Sequence, residues 1–374
     1  MKGKRIILAV SSDLVADQRV HRCAETLCRN GAEVLVVGRK LPASRPVGDR
    51  SYRVSRLRLA FRKGPLFYAG FNIRLFFFLI FRKVDLIGAN DLDTLLACHL
   101  AARIRGKPLL YDSHEYFTEV PELIGREFTR KIWTGIEKRI LPRVRFASTV
   151  SPSVAEAYQE LYGIRMKVIR NLSAKEERSA VRPDLLQCGP KRIILYQGAL
   201  NVGRGIEAMI SAMRYLEAFS FQVFGDGDIR EELISLAGDL GVSERVEFMG
   251  RIPFQELRGF TRQASLGISL EEDRGMNYRY ALPNKLFDYI QAGVPVLVSD
   301  LPEMKQIVLD YEIGQVLRDP EPEKLAGQVR EMMDSHELRK LWKKNLRKAA
   351  GELCWEREEG RLLDLYRQAL SGQA

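Results

Sequence analysis

The chain has 374 residues, 46% hydrophobic and 29% charged, a globular composition too long for one compact core and suited to about two domains. Its five cysteines (Cys23, Cys28, Cys98, Cys188 and Cys354) and four histidines show no metal-site spacing, which argues against a disulfide framework, a Cys/His metal cluster and an oxidising compartment. The net charge of +11 is lopsided: residues 1–180 hold 33 Lys/Arg and 18 Asp/Glu, the remainder 26 and 30, so the amino half either meets a polyanion or anionic membrane or presents a solvated basic surface.

Short apolar strands alternate with helical stretches along the whole chain, the pattern of parallel α/β architecture. MKGKRIILAVSSD runs straight into the first strand, near Arg5–Val10, with no signal peptide ahead of it. Ser11, Ser12 and Asp13 follow that strand, at the end where open α/β sheets bind ligands. Asp17 is placed to cap the next helix, and Arg19 one turn in reads as structural. Further strands are expected near Glu33–Val37, Tyr52–Arg58, Leu86–Ala89, Pro108–Asp112, Ala147–Val150 and Lys167–Ile169. Leu66–Phe81, the most apolar stretch, is interrupted by Asn72 and Arg74 and falls short of the ~20 residues that span a bilayer. It is expected to be a core helix buried on most sides, with membrane insertion as the alternative. Asp91 and Asp93 look like a metal-binding DxD pair. Their place after LIGAN and before TLLACHLAAR instead makes Asp91 a helix cap and Asp93 a first-turn carboxylate. His114 stands at a strand end in YDSHEY, a better place for a functional histidine than most.

Ser173 to Pro190 is polar and reads as a linker. A second series of strands is expected near Ile193–Gln197, Phe221–Phe224, Val246–Met249, Leu266–Leu270, Pro295–Ser299 and Gln315–Leu317. Gly198 follows the first of these, so a backbone can approach a ligand there. Arg204 stands where the helix IEAMISAM begins and can fork onto two phosphate oxygens. Gly225–Asp228 is an incomplete glycine fingerprint, mostly structural, with Asp228 as a helix cap. Glu271 and Glu272 follow the strand LGISL and by themselves read as a solvated acidic turn. In LPNKLFDYIQAGVPVLVSD, Asn284 and Lys285 occupy the first turn of a helix that Gly293 stops. Free N–H groups and a lysine at a helix start suit an anion, and Asp288 one turn on suits ribose hydroxyls. An ordinary helix with a Lys285–Asp288 surface pair is the equal alternative.

Together these segments resemble the family 4 retaining glycosyltransferases, in the branch whose motif reads LPNKLFEY, three residues, Gly, one residue, Pro-Val. Asp288 stands here in place of that glutamate. The resemblance implies two tandem Rossmann-like α/β domains with parallel sheets (the GT-B fold), a cleft between them, and a final helix that crosses back to the first domain. Trp355 and Tyr366 are the expected anchors of that helix. The implied boundaries are 1–172, a linker 173–190, 191–352, and a terminal helix 353–374. The implied reaction moves a sugar from a nucleotide-sugar to a polysaccharide or lipid-linked acceptor, with no metal and no cofactor. Gly198, Arg204, Arg251, Asn284, Lys285, Leu286 and Asp288 become the donor-binding set; the family's usual basic residue after the first glycine is Ala199 here, which leaves Lys285 as second phosphate ligand. His114 and Glu271 become the catalytic candidates near the sugar, and Ser11, Ser12 and Asp13 the acceptor-side residues. The expected location is cytoplasmic, peripheral on an anionic membrane surface, without nucleic acid, for which no aromatic-basic motif is present. A nucleotide-sugar epimerase of the same fold and a non-catalytic nucleotide-binding protein are the alternatives.

Overall fold

The computed structural model describes the chain except residues 16, 43, 121, 122, 124, 176–191 and 373–374. Most of the expected linker, and Cys188, therefore lie outside the described residues. Among these, thirteen strands form two sheets whose neighbours all run parallel.

The first sheet contains β1 (Arg5–Ala9), β2 (Glu33–Lys40), β3 (Arg53–Arg58), β4 (Leu86–Asn90), β5 (Leu109–Ser113), β6 (Phe146–Thr149) and β7 (Lys167–Val168), in the order 3-2-1-4-5-6-7. The second contains β8 (Arg192–Gln197), β9 (Phe219–Phe224), β10 (Val246–Gly250), β11 (Leu266–Ser269), β12 (Val296–Val298) and β13 (Gly314–Val316), in the order 10-9-8-11-12-13. The expected strands are all present. Their sequences explain it: RIILA, LIGAN and LGIS are continuous apolar or small runs, buried on both faces as parallel strands under helices must be. In each sheet the order reverses beside its first strand, between β1 and β4 and between β8 and β11. The crevice beyond the carboxyl ends of such a reversal is where ligands bind in open α/β sheets.

The chain divides into two compact units, Met1–Asn171 with Glu358–Ala374, and Leu172–Arg357. The last helix, Trp355–Ser371, thus returns to the first unit. Within that unit Glu359 accepts from Arg29 at 2.7 Å, and the buried Tyr366 lies against Gly88. Trp355 belongs instead to the second unit, where its N–H donates to the Ser173 carbonyl at 3.0 Å.

Several local expectations change. Asp17 does cap the Gln18–Arg29 helix, accepting from the Val20 N–H. Asp91 precedes the Leu92–Arg105 helix but makes no cap bond; its carboxylate turns to His114 instead. Asp228 does not cap either, because Ile229 takes the position before the Arg230–Asp239 helix. The Gly64–Ile80 helix is buried only through Phe67, Phe71, Leu75 and Leu79. Its other face is exposed and, apart from Arg74, which bonds the Arg58 carbonyl, largely apolar, contrary to a helix buried on most sides.

Candidate functional site

In the second unit, Gly198 follows β8, Glu271 follows β11, Arg204 precedes the Ile206–Ala212 helix, and Lys285 is in the first turn of Asn284–Ala292. The fold brings all four together. Lys285 Nζ donates to Glu271 Oε1 at 2.7 Å, and an Arg204 nitrogen lies 3.7 Å from the same oxygen. Each cation also has an aromatic platform. Lys285 Nζ sits 4.0 Å from the Tyr196 ring centre, and the Arg204 guanidinium 5.0 Å from that of Tyr278. A Cβ on Gly198 would touch Lys285 Cε at 3.6 Å. Tight backbone packing holds these loops. A Cβ on Gly225 would fall 1.8 Å from the Gly198 carbonyl oxygen, and one on Gly205 2.1 Å from that of Leu270. Both glycines also have positive φ, so no other residue fits.

Glu271 is fully buried and Lys285 nearly so, while Arg204 is 27% exposed. Burial works against the Glu271 charge, yet the Lys285 ammonium and the Ser269 hydroxyl hold its carboxyl below the usual range. Burial, helped by Arg204, draws the Lys285 ammonium down against the pull of Glu271. Two cations around one carboxylate leave one positive charge in excess, reached from solvent along Arg204. That is an anion site with fixed donors. A sugar-hydroxyl role for Glu271 needs a carboxylate that a ligand can reach, and Glu271, bonded to Lys285 and to Ser269, has no exposed surface, whereas Asp288 is only partly buried. Glu271 is therefore the counter-ion that aims Lys285. Glu272 is exposed and pairs with Arg274.

Lys285 and Asp288 do not form the surface pair that their spacing allows. Asp288 takes hydrogen bonds from Ser173 Oγ and, at 2.7 Å, from Gln197 Nε2. Gln197 in turn accepts from the buried Thr261 hydroxyl at 2.9 Å. Sequence reasoning missed this support; its one signal is a glutamine ending an otherwise apolar strand. A carboxylate has about four acceptor positions, so Asp288 retains capacity for hydroxyls. Leu286 is fully buried in the core and offers a ligand no side-chain surface. Asn284 is exposed at the helix start. Arg251 pairs with Asp226 at 3.6 Å, both exposed.

The first unit carries its own cluster at the ends of β1, β4 and β5. His114 is held by two carboxylates: its N–H donates to Asp91 Oδ1 at 2.7 Å, Nδ1 lies 3.2 Å from Asp91 Oδ2, and Nε2 3.1 Å from Asp112 Oδ2. Burial opposes its charge, but Asp91 and Asp112 outweigh that and push the imidazolium up to about 10. Asp112 also takes a bidentate bond from the buried Arg19, at 2.9 and 2.7 Å. Asp91 keeps a φ of 61° to reach His114, a strained backbone of the kind that persists only where neighbours impose it. Asp93 is buried, accepts from Ser11, and is pushed up to about 7 by burial and by Asp91. Ser12 donates to Asp17 at 3.1 Å, and Asp13 accepts from Ser44 at 3.2 Å, so the loop after β1 is bonded both within itself and to the loop after β2. The two carboxylates of the DxD sequence serve different partners. Among the described residues no group of three or more His, Cys, Asp or Glu is arranged to hold a metal ion.

The two parallel sheets and their helices define the class: a two-domain α/β protein with Rossmann-like units. Two family models match in succession, glycosyltransferase family 4 over residues 16–172 and glycosyl transferases group 1 over residues 177–349. The chain belongs to the glycosyltransferases of the GT-B fold. It is 24% identical to the uncharacterized glycosyltransferase MJ1607 of Methanocaldococcus jannaschii over 93% of this chain and 92% of that protein. With MJ1178 of the same organism, also an uncharacterized glycosyltransferase, it shares 23% identity over 44% of each, so it spans less than half the length of that relative. Among solved structures, sucrose-phosphate synthase from Thermosynechococcus elongatus superposes with a TM-score of 0.81 at 19% identity, covering 99% of this chain and all of that one. Alr3699/HepE from Anabaena, solved with UDP-glucose, gives 0.78 at 16% identity, covering 97% and 99%.

Proposed function

We propose that the protein transfers a sugar from a nucleotide-sugar to a glycan or lipid-linked acceptor, with retention of configuration and without a metal. The observation that carries this reading is the Arg204–Lys285 pair set around Glu271 beside Gly198. Those cations would take the diphosphate of the donor and stabilise it as it leaves, by charges already in place. The sugar would then pass through an oxocarbenium-like state, and the acceptor would attack the face the diphosphate leaves. The departing diphosphate would take the acceptor's proton, so no protein base is needed. His114, charged and bonded at both ring nitrogens, suits a fixed positive charge rather than a proton shuttle. The UDP-glucose bound to the Anabaena structure makes uridine the first nucleotide to try. The basic amino half is assigned to an anionic membrane surface, where a lipid-linked acceptor would be presented. No described helix is long and apolar enough to cross a membrane.

The test is a panel of nucleotide-sugars and acceptors in excess EDTA, with the product's anomeric configuration read by NMR. Transfer should persist, and the product should keep the donor's configuration. Complete loss in EDTA with rescue by manganese, or an inverted product, overturns the respective part of the reading.

Asp288 is assigned to the ribose. Asp288→Asn keeps a partner for Ser173 but presents one acceptor oxygen where the carboxylate has two. Binding of UDP should fall about tenfold, while 2′,3′-dideoxy-UDP, lacking the hydroxyls, should change little. Equal losses for the two ligands would make Asp288 purely a support for Gln197 and Ser173.

A further inference from the structure

The outer face of the Gly64–Ile80 helix has no role in the site described above. Its core-facing residues recur one turn apart. On the opposite side Leu66, Ile73 and Phe77 are 60, 59 and 54% exposed, and Phe81, just past the helix, is 81% exposed. At about 100° per residue these side chains form one stripe pointing away from the core. Large apolar residues exposed singly are ordinary; a continuous stripe of them marks an interaction surface. On one flank Tyr68 meets Trp133 edge-on at 5.2 Å, so the neighbouring Glu127–Ile140 helix packs there and leaves the stripe open.

The surroundings of the stripe are cationic. Exposed Arg62 and Lys63 precede the helix, exposed Arg82 and Lys83 follow it, and no acidic residue occurs between Asp49 and Asp85. At the amino end of the helix a cavity of about 250 Å³ is lined by Arg39, Lys40, Arg58 and Arg62 together with Phe61 and Phe67. The Arg39 guanidinium lies 4.7 Å from the centre of the Phe67 ring. The stripe starts one turn along the chain from Arg62. An apolar face that begins at a cationic pocket is complementary to an amphiphile with an anionic head. The helix has 17 residues, fewer than the ~20 that span a bilayer.

We propose that this face is a docking surface for an anionic phospholipid bilayer. The helix lies in the plane of the membrane with Leu66, Ile73, Phe77 and Phe81 among the acyl chains, and the pocket at its amino end holds a lipid phosphate. The inference rests on the membrane clause of the proposed function and makes it specific: attachment has an apolar, salt-resistant part as well as an electrostatic one.

Flotation with vesicles of phosphatidylcholine alone, and of phosphatidylcholine mixed with phosphatidylglycerol, tests it at low and high salt. The wild type should float with the mixed vesicles, and a fraction should stay bound at high salt. Ile73→Gln/Phe77→Gln should lose that salt-resistant fraction, by at least about tenfold in partitioning. Arg58→Gln/Arg62→Gln should lower binding to the mixed vesicles at low salt by roughly twentyfold to thirtyfold. All four side chains are exposed, so melting temperature and UDP affinity should match the wild type in both variants. Flotation equal on the two vesicle types, or unchanged in either variant, overturns the proposal. A dimer that the Ile73→Gln/Phe77→Gln change abolishes, with no flotation, would put a second copy on the stripe in place of lipid. A wild type that floats but binds no UDP would fail the donor reading and leave the docking surface standing.

Discussion

Lys285→Ala should cost this protein both its nucleotide and much of its stability, and the two losses should be separable. Lys285 is the only described donor besides Ser269 that hydrogen-bonds Glu271, a carboxylate with no exposed surface. Removing the ammonium leaves that charge to Ser269 and to Arg204 at 3.7 Å. Breaking a buried pair from one side typically costs about 3–5 kcal/mol. A charge-assisted bond to a phosphate contributes about 1.5–3 kcal/mol, so UDP affinity should fall by tenfold to about a hundredfold. The double change Lys285→Met/Glu271→Gln removes both charges and fills the same space. It should recover most of the melting temperature, because no buried charge is left uncompensated, while UDP affinity measured by calorimetry stays low. Recovery of affinity together with stability would make Lys285 a structural counter-ion and leave the phosphate to Arg204 alone.

The sequence made the sheets legible because every strand needs the same thing, a short apolar run that helices can cover on both faces. β1, β4 and β11 announce themselves in RIILA, LIGAN and LGIS. The donor cluster was legible in part for a similar local reason: glycines and cations at strand ends and helix starts have few other uses. Contacts between distant segments were not. Nothing near Asp288 in the chain says that Gln197 and Ser173 will hold its carboxylate, and nothing near Glu271 says that Lys285 will occupy it from a different helix. The pair Lys285–Asp288, three apart, was the reading local spacing favours, and long-range partners displaced it. The Gly64–Ile80 helix misled for the opposite reason. A stretch apolar on nearly every side reads as buried on most sides, whereas its neighbours, among them the Leu92–Arg105 helix to which Asn72 is bonded, cover only one face. Its surplus of apolar surface is invisible as a surplus until the fold shows which side is used.

The buried charges of the first unit should give the largest dependence of stability on pH. Asp112 takes two bonds from Arg19, one from the Ser148 hydroxyl at 2.8 Å and one from His114. Burial opposes its charge, but Arg19 and His114 hold its carboxyl well below the usual carboxylate range. Its contribution is present above the ordinary carboxylate pKa and is lost only in strong acid. His114 runs the other way. Asp91 and Asp112 push it up to about 10, above the ordinary histidine value of 6.5, so the unfolded chain loses the proton first as pH rises. The stability it contributes is complete below about 6.5, falls between 6.5 and 10, and is gone above that. Urea titrations across this range should show the wild type weakening by a few kcal/mol in all, and His114→Gln, which keeps hydrogen bonding without the charge, should flatten that slope. Asp112→Asn should be more damaging at every pH between 5 and 9, by about 3–5 kcal/mol, because it leaves the Arg19 guanidinium, 2% exposed, without its carboxylate. Equal slopes for wild type and His114→Gln would mean that the imidazole is neutral in the folded protein. His114 would then have a nitrogen free for proton transfer, and the fixed-charge role proposed for it would fail.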